Sequence, residues 1–267
     1  MPELNAVLTH RHEIAPGLVV LRVAPEGWEL PPFKPGQFAV LGLPADAPRT
    51  PGSLPEEGTA EPFPRRAYSI ASSSLERAYL EFYIVEVRSG ALTPRLLALK
   101  EGDRLWLGPK LSGVFTLDQV APDRNLVLIA TGTGLAPYMS MLRTRLALES
   151  GRRVAVVHGA RLPRDLGYRE ELFHLQRDHA TFTYLPVISR PAEAGETWTG
   201  ATGRLQDFWR TRPLAAAWGA EPAPGDTDLF ICGNPGMVEG MVDLLQAEGF
   251  REHTRKEPGQ IHFEKYW

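Results

Sequence analysis

The chain has 267 residues, 43% hydrophobic and 23% charged, with a formal net charge of −3. That length suits two domains, each able to bury its own core, and the acidic balance argues against nucleic-acid binding, which favours strongly basic surfaces. Cys232 is the sole cysteine, which excludes an intramolecular disulfide and a Cys-ligated iron–sulfur cluster within the chain.

No apolar run reaches the ~20 residues of a membrane-spanning helix. The first residues lack a signal-peptide pattern, so a cytoplasmic location without membrane association is expected, with a monomer as the default. The histidines show no metal-ligand spacing, and no metal is expected.

In chain order, residues 1–120 read as β-rich. Leu18 to Val23, Gln37 to Leu43, Ala78 to Val87 and Arg104 to Gly108 have strand composition, separated by Pro, Gly and Asp. Several strands at this spacing predict an antiparallel barrel. One helix interrupts them after Gly90, with Thr93 as its expected N-cap and Pro94 at its first position. Residues 44–64 carry six prolines among Gly, Ser, Asp and Glu, and read as a mobile excursion.

The rhythm then changes. Leu126 to Ala130 is a continuous apolar run, as in a buried parallel strand. Helices are expected from Pro137 to about Glu149, near Arg169 to Asp178, and from Met237 to Glu248. Strands are expected at Val154 to His158, Phe182 to Ile188 and Leu229 to Cys232. Strands alternating with helices predict an α/β doubly wound parallel sheet over residues 121–267. Ligands of such sheets bind at the carboxyl ends of the strands.

Four sets of residues carry chemistry. Arg66-Ala67-Tyr68-Ser69 offers a guanidinium for a pyrophosphate, an aromatic face for a flavin ring and a hydroxyl for the flavin nitrogen that accepts hydride. Gly132-Thr133-Gly134 follows a strand and opens a helix, where backbone N–H groups meet phosphate. Its Pro137 departs from the dehydrogenase glycine fingerprint. Cys232 ends a strand facing the same crevice. Arg161, Arg190 and Arg204 each follow a strand or turn, the residue type that accepts the 2′-phosphate of NADP where NAD sites use an acid. The terminal Tyr266-Trp267 pair suggests a docked tail.

Together with Leu80 to Val85, Gly90 to Leu97, Ser189-Arg190, Thr202-Gly203-Arg204, Cys232 to Met237 and Glu264 to Trp267, these segments resemble the ferredoxin/flavodoxin–NADP reductases, above all the bacterial members. The likeness spans essentially the whole chain. It implies an FAD-binding barrel over 1–120 and an NADP-binding domain over 121–267 whose tail returns to the flavin.

The resemblance implies that Arg66, Ala67, Tyr68, Ser69, Tyr83, Ile84 and Val85 contact FAD and that Gly90, Ala91, Leu92 and Thr93 hold its phosphates. It assigns Thr133, Gly134 and Asn234 to NADP(H), and Arg161, Arg190 and Arg204 to the 2′-phosphate. Ser69, Cys232 and Glu264 form the implied catalytic set, with Tyr266 covering the flavin and Trp267 reaching toward the adenine. The implied reaction is hydride exchange between NADP(H) and FAD followed by single-electron steps to ferredoxin or flavodoxin. Lys110, Arg251, Arg255, Lys256 and Lys265 are candidates to meet that acidic carrier. The alternatives are an NADH-dependent reductase component of an oxygenase, disfavoured by the three arginines, and a flavin redox sensor without turnover. Two departures stand out. The 44–64 segment is longer than expected for compact bacterial members, and the tail runs one residue beyond the terminal Tyr of plant-type members.

Overall fold

The computed structural model describes residues 2–58, 61–144, 151–193, 195 and 197–266. The chain divides into two compact units, Met1–Thr116 with Ala136–Thr144, and Leu117–Leu135 with Arg145–Trp267.

In the first unit, β1 (Ala6–Ala15), β2 (Leu18–Pro25), β3 (Phe38–Gly42), β4 (Arg65–Ser69) and β5 (Leu80–Val85) precede the short helix α1 (Thr93–Ala98), and β6 (Arg104–Leu107) follows it. All pairings are antiparallel, in the order β4-β3-β6-β1-β2-β5. The bridge Ile70↔Phe82 joins the end of β4 to β5, so the sheet curls into a barrel and loses its open edges. Leu8, Leu21, Leu41, Leu80, Phe82, Ile84, Leu92 and Leu96 fill it.

α1 begins at Thr93 itself, with Leu92 in the cap position and no side-chain cap. The Thr93 hydroxyl instead accepts from Val87 N at 2.9 Å and closes the turn before the helix. That competing local bond displaces the expected N-cap by one residue.

The helix α2 (Ala136–Arg143) groups with this unit. Its Arg143 donates to Ala71 O at 3.0 Å and pairs with Glu81, which is 2% exposed and also meets Arg22 Nε at 2.9 Å. The expected extension of α2 to Glu149 lies outside the described residues.

The second unit holds β7 (Asn125–Thr131), β8 (Val154–Ala160), α3 (Arg169–Asp178), β9 (Phe182–Ile188), β10 (Ala201–Thr202), α4 (Leu205–Arg210), α5 (Pro213–Trp218), β11 (Thr227–Gly233), α6 (Pro235–Ala247) and β12 (Ile261–Lys265). The six strands are parallel, in the order β10-β9-β8-β7-β11-β12. β7 and β11 are neighbours inside the sheet and are buried nearly end to end, as strands sheltered on both faces must be. The chain builds outward from β7 through β10, then returns to lay β11 on the other side of β7. That reversal makes the carboxyl ends of β7 and β11 the switch point of the sheet, where such folds open a crevice.

The described residues of the Pro-rich segment are tied to neighbouring turns, and residues 59–60 lie outside the described residues. Thr50 N donates to Pro94 O, Leu54 N to Arg88 O and Glu57 N to Ser89 O, at 3.1, 2.9 and 3.0 Å. Arg49 bonds the carbonyls of Leu54, Arg88 and Gly90. Glu56 sits between Arg49 at 2.9 Å and the buried Arg95 at 2.6 Å. Prolines and charges without periodicity disguise a segment held by backbone bonds and ion pairs rather than by apolar burial.

Candidate functional site

In the first unit, the expected flavin residues gather around the end of β4. Arg66 is exposed, Tyr68 is half-buried with its ring edge-on to Phe82 at 6.5 Å, and Ser69 is buried opposite Phe38. The Tyr68 hydroxyl is buried and hydrogen-bonds no described residue, and burial pushes its pKa up. A buried hydroxyl left without a protein partner suits a ligand-facing position. Ala67 is exposed on β4. Tyr83 and Ile84 are buried, and Val85 ends β5 half-exposed. Ile84 and Leu92 point into the barrel core, so either reaches a ligand only through its backbone. Gly90 closes the turn before α1 by donating to Val87 O at 2.8 Å, and Ala91 O accepts from the Arg95 guanidinium.

Arg66 has a partner that the sequence reading did not assign. Its Nη2 lies 2.8 Å from Glu61 Oε1 and its Nη1 3.1 Å from Glu61 Oε2.

In the second unit, the carboxyl edge of the sheet brings together the remaining candidates. Thr133 and Gly134 are buried in a 3-10 turn directly after β7. A Cβ built on Gly134 would lie 2.3 Å from Cys232 O, and one on Gly233 2.3 Å from Thr131 Oγ1. Both contacts are closer than any side chain allows, so the two turns interlock through bare backbone. Asn234 N donates to Thr131 Oγ1 at 3.0 Å, and the Asn234 side chain caps α6 by accepting from Met237 N. Gly134 therefore serves the neighbouring turn. Gly132, at φ +53°, has open space above it.

β11 and β12 pair Cys232 with Glu264, and Tyr266 N donates to Gly233 O at 3.1 Å. Burial pushes the Cys232 thiol pKa up, the Glu264 charge adds to the rise, and a hydrogen bond with Tyr266 opposes it. Cys232 thus remains a neutral thiol at ordinary pH. Burial also raises the Glu264 carboxyl. Trp267 lies outside the described residues.

Arg161, Arg190 and Arg204 follow β8, β9 and β10, three neighbouring strands. Arg190 N donates to Arg161 O at 2.9 Å and Gly203 N to Ile188 O at 3.0 Å, which ties the three loops into one edge. All three side chains are exposed. Nearby, the Arg169 guanidinium lies over both Trp198 and Phe173, at 5.2 and 5.6 Å. Sequence reasoning missed this cluster because its members are 29 residues apart or fewer yet share no periodicity. Among the described residues no group of His, Cys, Asp and Glu could hold a metal ion, and no helix is long and apolar enough to cross a membrane.

Residues 128–243 match the oxidoreductase NAD-binding domain model. The chain is 33% identical over 243 residues to the ferredoxin–NADP reductase of Pseudomonas aeruginosa, covering 87% of this chain and 86% of that protein. The chain belongs to the ferredoxin/flavodoxin–NADP reductase family. The flavodoxin/ferredoxin–NADP reductase of Escherichia coli is 33% identical over 238 residues, 88% of each chain. The fold also matches a ferredoxin NADP+ reductase from Neisseria gonorrhoeae, solved with bound FAD and NADP, at a TM-score of 0.82 and 24% identity, covering 98% of this chain and 97% of that one.

Proposed function

We propose that this family member is a flavoenzyme that exchanges electrons between NADP(H) and a one-electron carrier, ferredoxin or flavodoxin, through FAD. The observation that carries the nucleotide choice is the set Arg161, Arg190 and Arg204 on three adjacent strand ends. Guanidinium groups match a 2′-phosphate by charge-assisted bonds, and a site for NADH has no use for three of them.

The residues of the first unit fit FAD: the unpartnered Tyr68 hydroxyl, the adjacent Arg66 and Ser69, and the turn from Gly90 to Thr93 supply aromatic surface, cation and donors. Bound FAD supplies the conversion of a two-electron hydride exchange into single-electron transfers. Arg66 would hold its pyrophosphate, Tyr68 would lie on its ring, and the Ser69 hydroxyl would bond the ring nitrogen that accepts hydride.

In the second unit the neutral Cys232 thiol would border the nicotinamide without adding a charge there. Glu264, its carboxyl pKa raised by burial, would stand beside the same position as a group able to exchange a proton. Tyr266 bonds Cys232, so it would have to leave before a nicotinamide ring took that place. Arg251, Arg255 and Lys256 are exposed in the segment before β12 and would meet an acidic carrier, whereas Lys265 is tied to Glu239 at 2.8 Å.

Anaerobic stopped-flow flavin bleaching with NADPH and NADH tests the reading. Rapid bleaching by NADPH alone is expected. Equal or faster bleaching by NADH would transfer the protein to the oxygenase-type reductases, and no bleaching by either would make it a sensor.

A further inference from the structure

The pairing of Glu61 with Arg66 lies where the flavin reading needs an open cation. A guanidinium offers five N–H donors. One Nη1 donor goes to Arg65 O at 2.7 Å, and Glu61 takes another from Nη1 and one from Nη2. The bidentate end of Arg66 is thus filled by a carboxylate, the nearest side-chain analogue of a phosphate edge. The hydrogen bond from Arg66 holds the Glu61 carboxyl below its ordinary range, so the carboxylate is charged through neutral pH.

Glu61 is also held in place by its neighbours. Ala45 N donates to Pro62 O at 3.1 Å and Leu43 N to Pro64 O at 3.4 Å. Phe63 packs against bare Gly42, where a Cβ would lie 2.7 Å from the ring, and meets Trp106 edge-on at 6.4 Å. The outgoing limb is pinned to residues 86–95 through Arg49, Thr50, Glu56 and Glu57.

We propose that Glu61 is a built-in counter-anion for Arg66, which competes with the FAD pyrophosphate for the same guanidinium, so that the Pro-rich segment sets how tightly flavin is held. This rests on the reading of Arg66 as a pyrophosphate ligand. A phosphate approaching the remaining Nε and Nη2 hydrogens meets the Glu61 carboxylate on the same Nη2, and like charges at that separation repel. Flavin binding therefore either expels Glu61 from Arg66 or proceeds against its charge. In both cases the carboxylate weakens binding of the phosphate part of the cofactor and leaves the ring part untouched.

The test is titration of flavin-stripped protein with FAD and with riboflavin, which lacks phosphate, followed by flavin fluorescence. Wild type, Glu61→Gln, Arg66→Gln and the double variant are compared. Glu61→Gln should bind FAD about threefold to tenfold tighter and release it more slowly, since a partly exposed charge pair is modest and salt-screened. Its riboflavin affinity should be unchanged, and its gain for FAD should vanish in the Arg66→Gln background. Equal or weaker FAD binding by Glu61→Gln would overturn the proposal, because Glu61 would then be orienting Arg66 for the phosphate. An equal gain with riboflavin, or one that persists without Arg66, would overturn it as well. If folded wild type and Glu61→Gln both failed to bind FAD, the flavin reading itself would fall.

Discussion

The two units hold the arginines proposed to meet phosphate differently. In the first, arginines are matched with acids: Arg22 and Arg143 with Glu81, Arg49 and Arg95 with Glu56, Arg66 with Glu61. In the second, Arg124, Arg210 and Arg212 are matched in the same way with Asp228, Asp207 and Glu248, but the strand-end Arg161 and Arg204 have no ion pair among the described residues, and Arg190 reaches Glu193 only at 3.5 Å. Glu264, half-buried at the same edge of the sheet, has no cation among them either. Paired charges brace loops and helices, and what they add to ligand binding is the difference between two partners. Unpaired charges give their full interaction to whatever arrives, at the cost of leaving the protein less comfortable without it.

The strongest way to break this comparison is to remove the open cations. Replacing Arg161 and Arg204 together with Ala should lower kcat/KM for NADPH by about a hundredfold, as two charge-assisted contacts are lost, while NADH turnover changes by less than about twofold. Steady-state kinetics with both nucleotides decides it, and a parallel loss with NADH would mean that these arginines do not read the 2′-phosphate.

A matched pair should respond through stability instead. Glu56→Gln removes the acid from Arg95, whose side chain is 4% exposed. Denaturant unfolding should show a loss of about 1–3 kcal/mol, the cost of a buried cation that keeps only carbonyl partners. An unaltered midpoint would make Glu56 dispensable to the segment.

The smallest effect should appear at Glu264. Its folded-state pKa is raised by burial, so the folded protein binds this proton more readily than the unfolded chain. Stability from this group is present below the ordinary carboxylate pKa and is lost as pH climbs through the raised value. Glu264→Gln should therefore match wild type in melting temperature in acid and exceed it slightly at mildly alkaline pH. A pH-independent difference would show that packing rather than ionisation is responsible.

Much of this arrangement was legible in the residues. β9 and α3 fall at the expected bounds because Phe182 to Ile188 and Arg169 to Asp178 carry clear local patterns. β1 was invisible because Thr9, His10, Arg11, His12 and Glu13 face outward or stay half-exposed, and its register shifts at two places blur the alternation. β12 read only as a tail, since Ile261 to Lys265 mixes His, Glu and Lys and is ordered by its ladder with β11. The three arginines were legible one at a time, but their shared edge depends on strand order, which no local pattern records. Glu61 is five residues from Arg66 in a stretch that looked unstructured, and only the return limb beside Gly42 and Ala45 brings the two together.

The interlock of Gly134 with Cys232 and of Gly233 with Thr131 has a consequence for anyone wishing to redesign cofactor preference here. Neither turn can be exchanged alone, since a new residue at 134 displaces the backbone that presents Cys232, and a graft at 232–234 meets Thr131. Swaps from relatives should carry residues 131–134 and 232–234 together as one cassette, and libraries that randomise either stretch separately will consist mainly of misfolded edges.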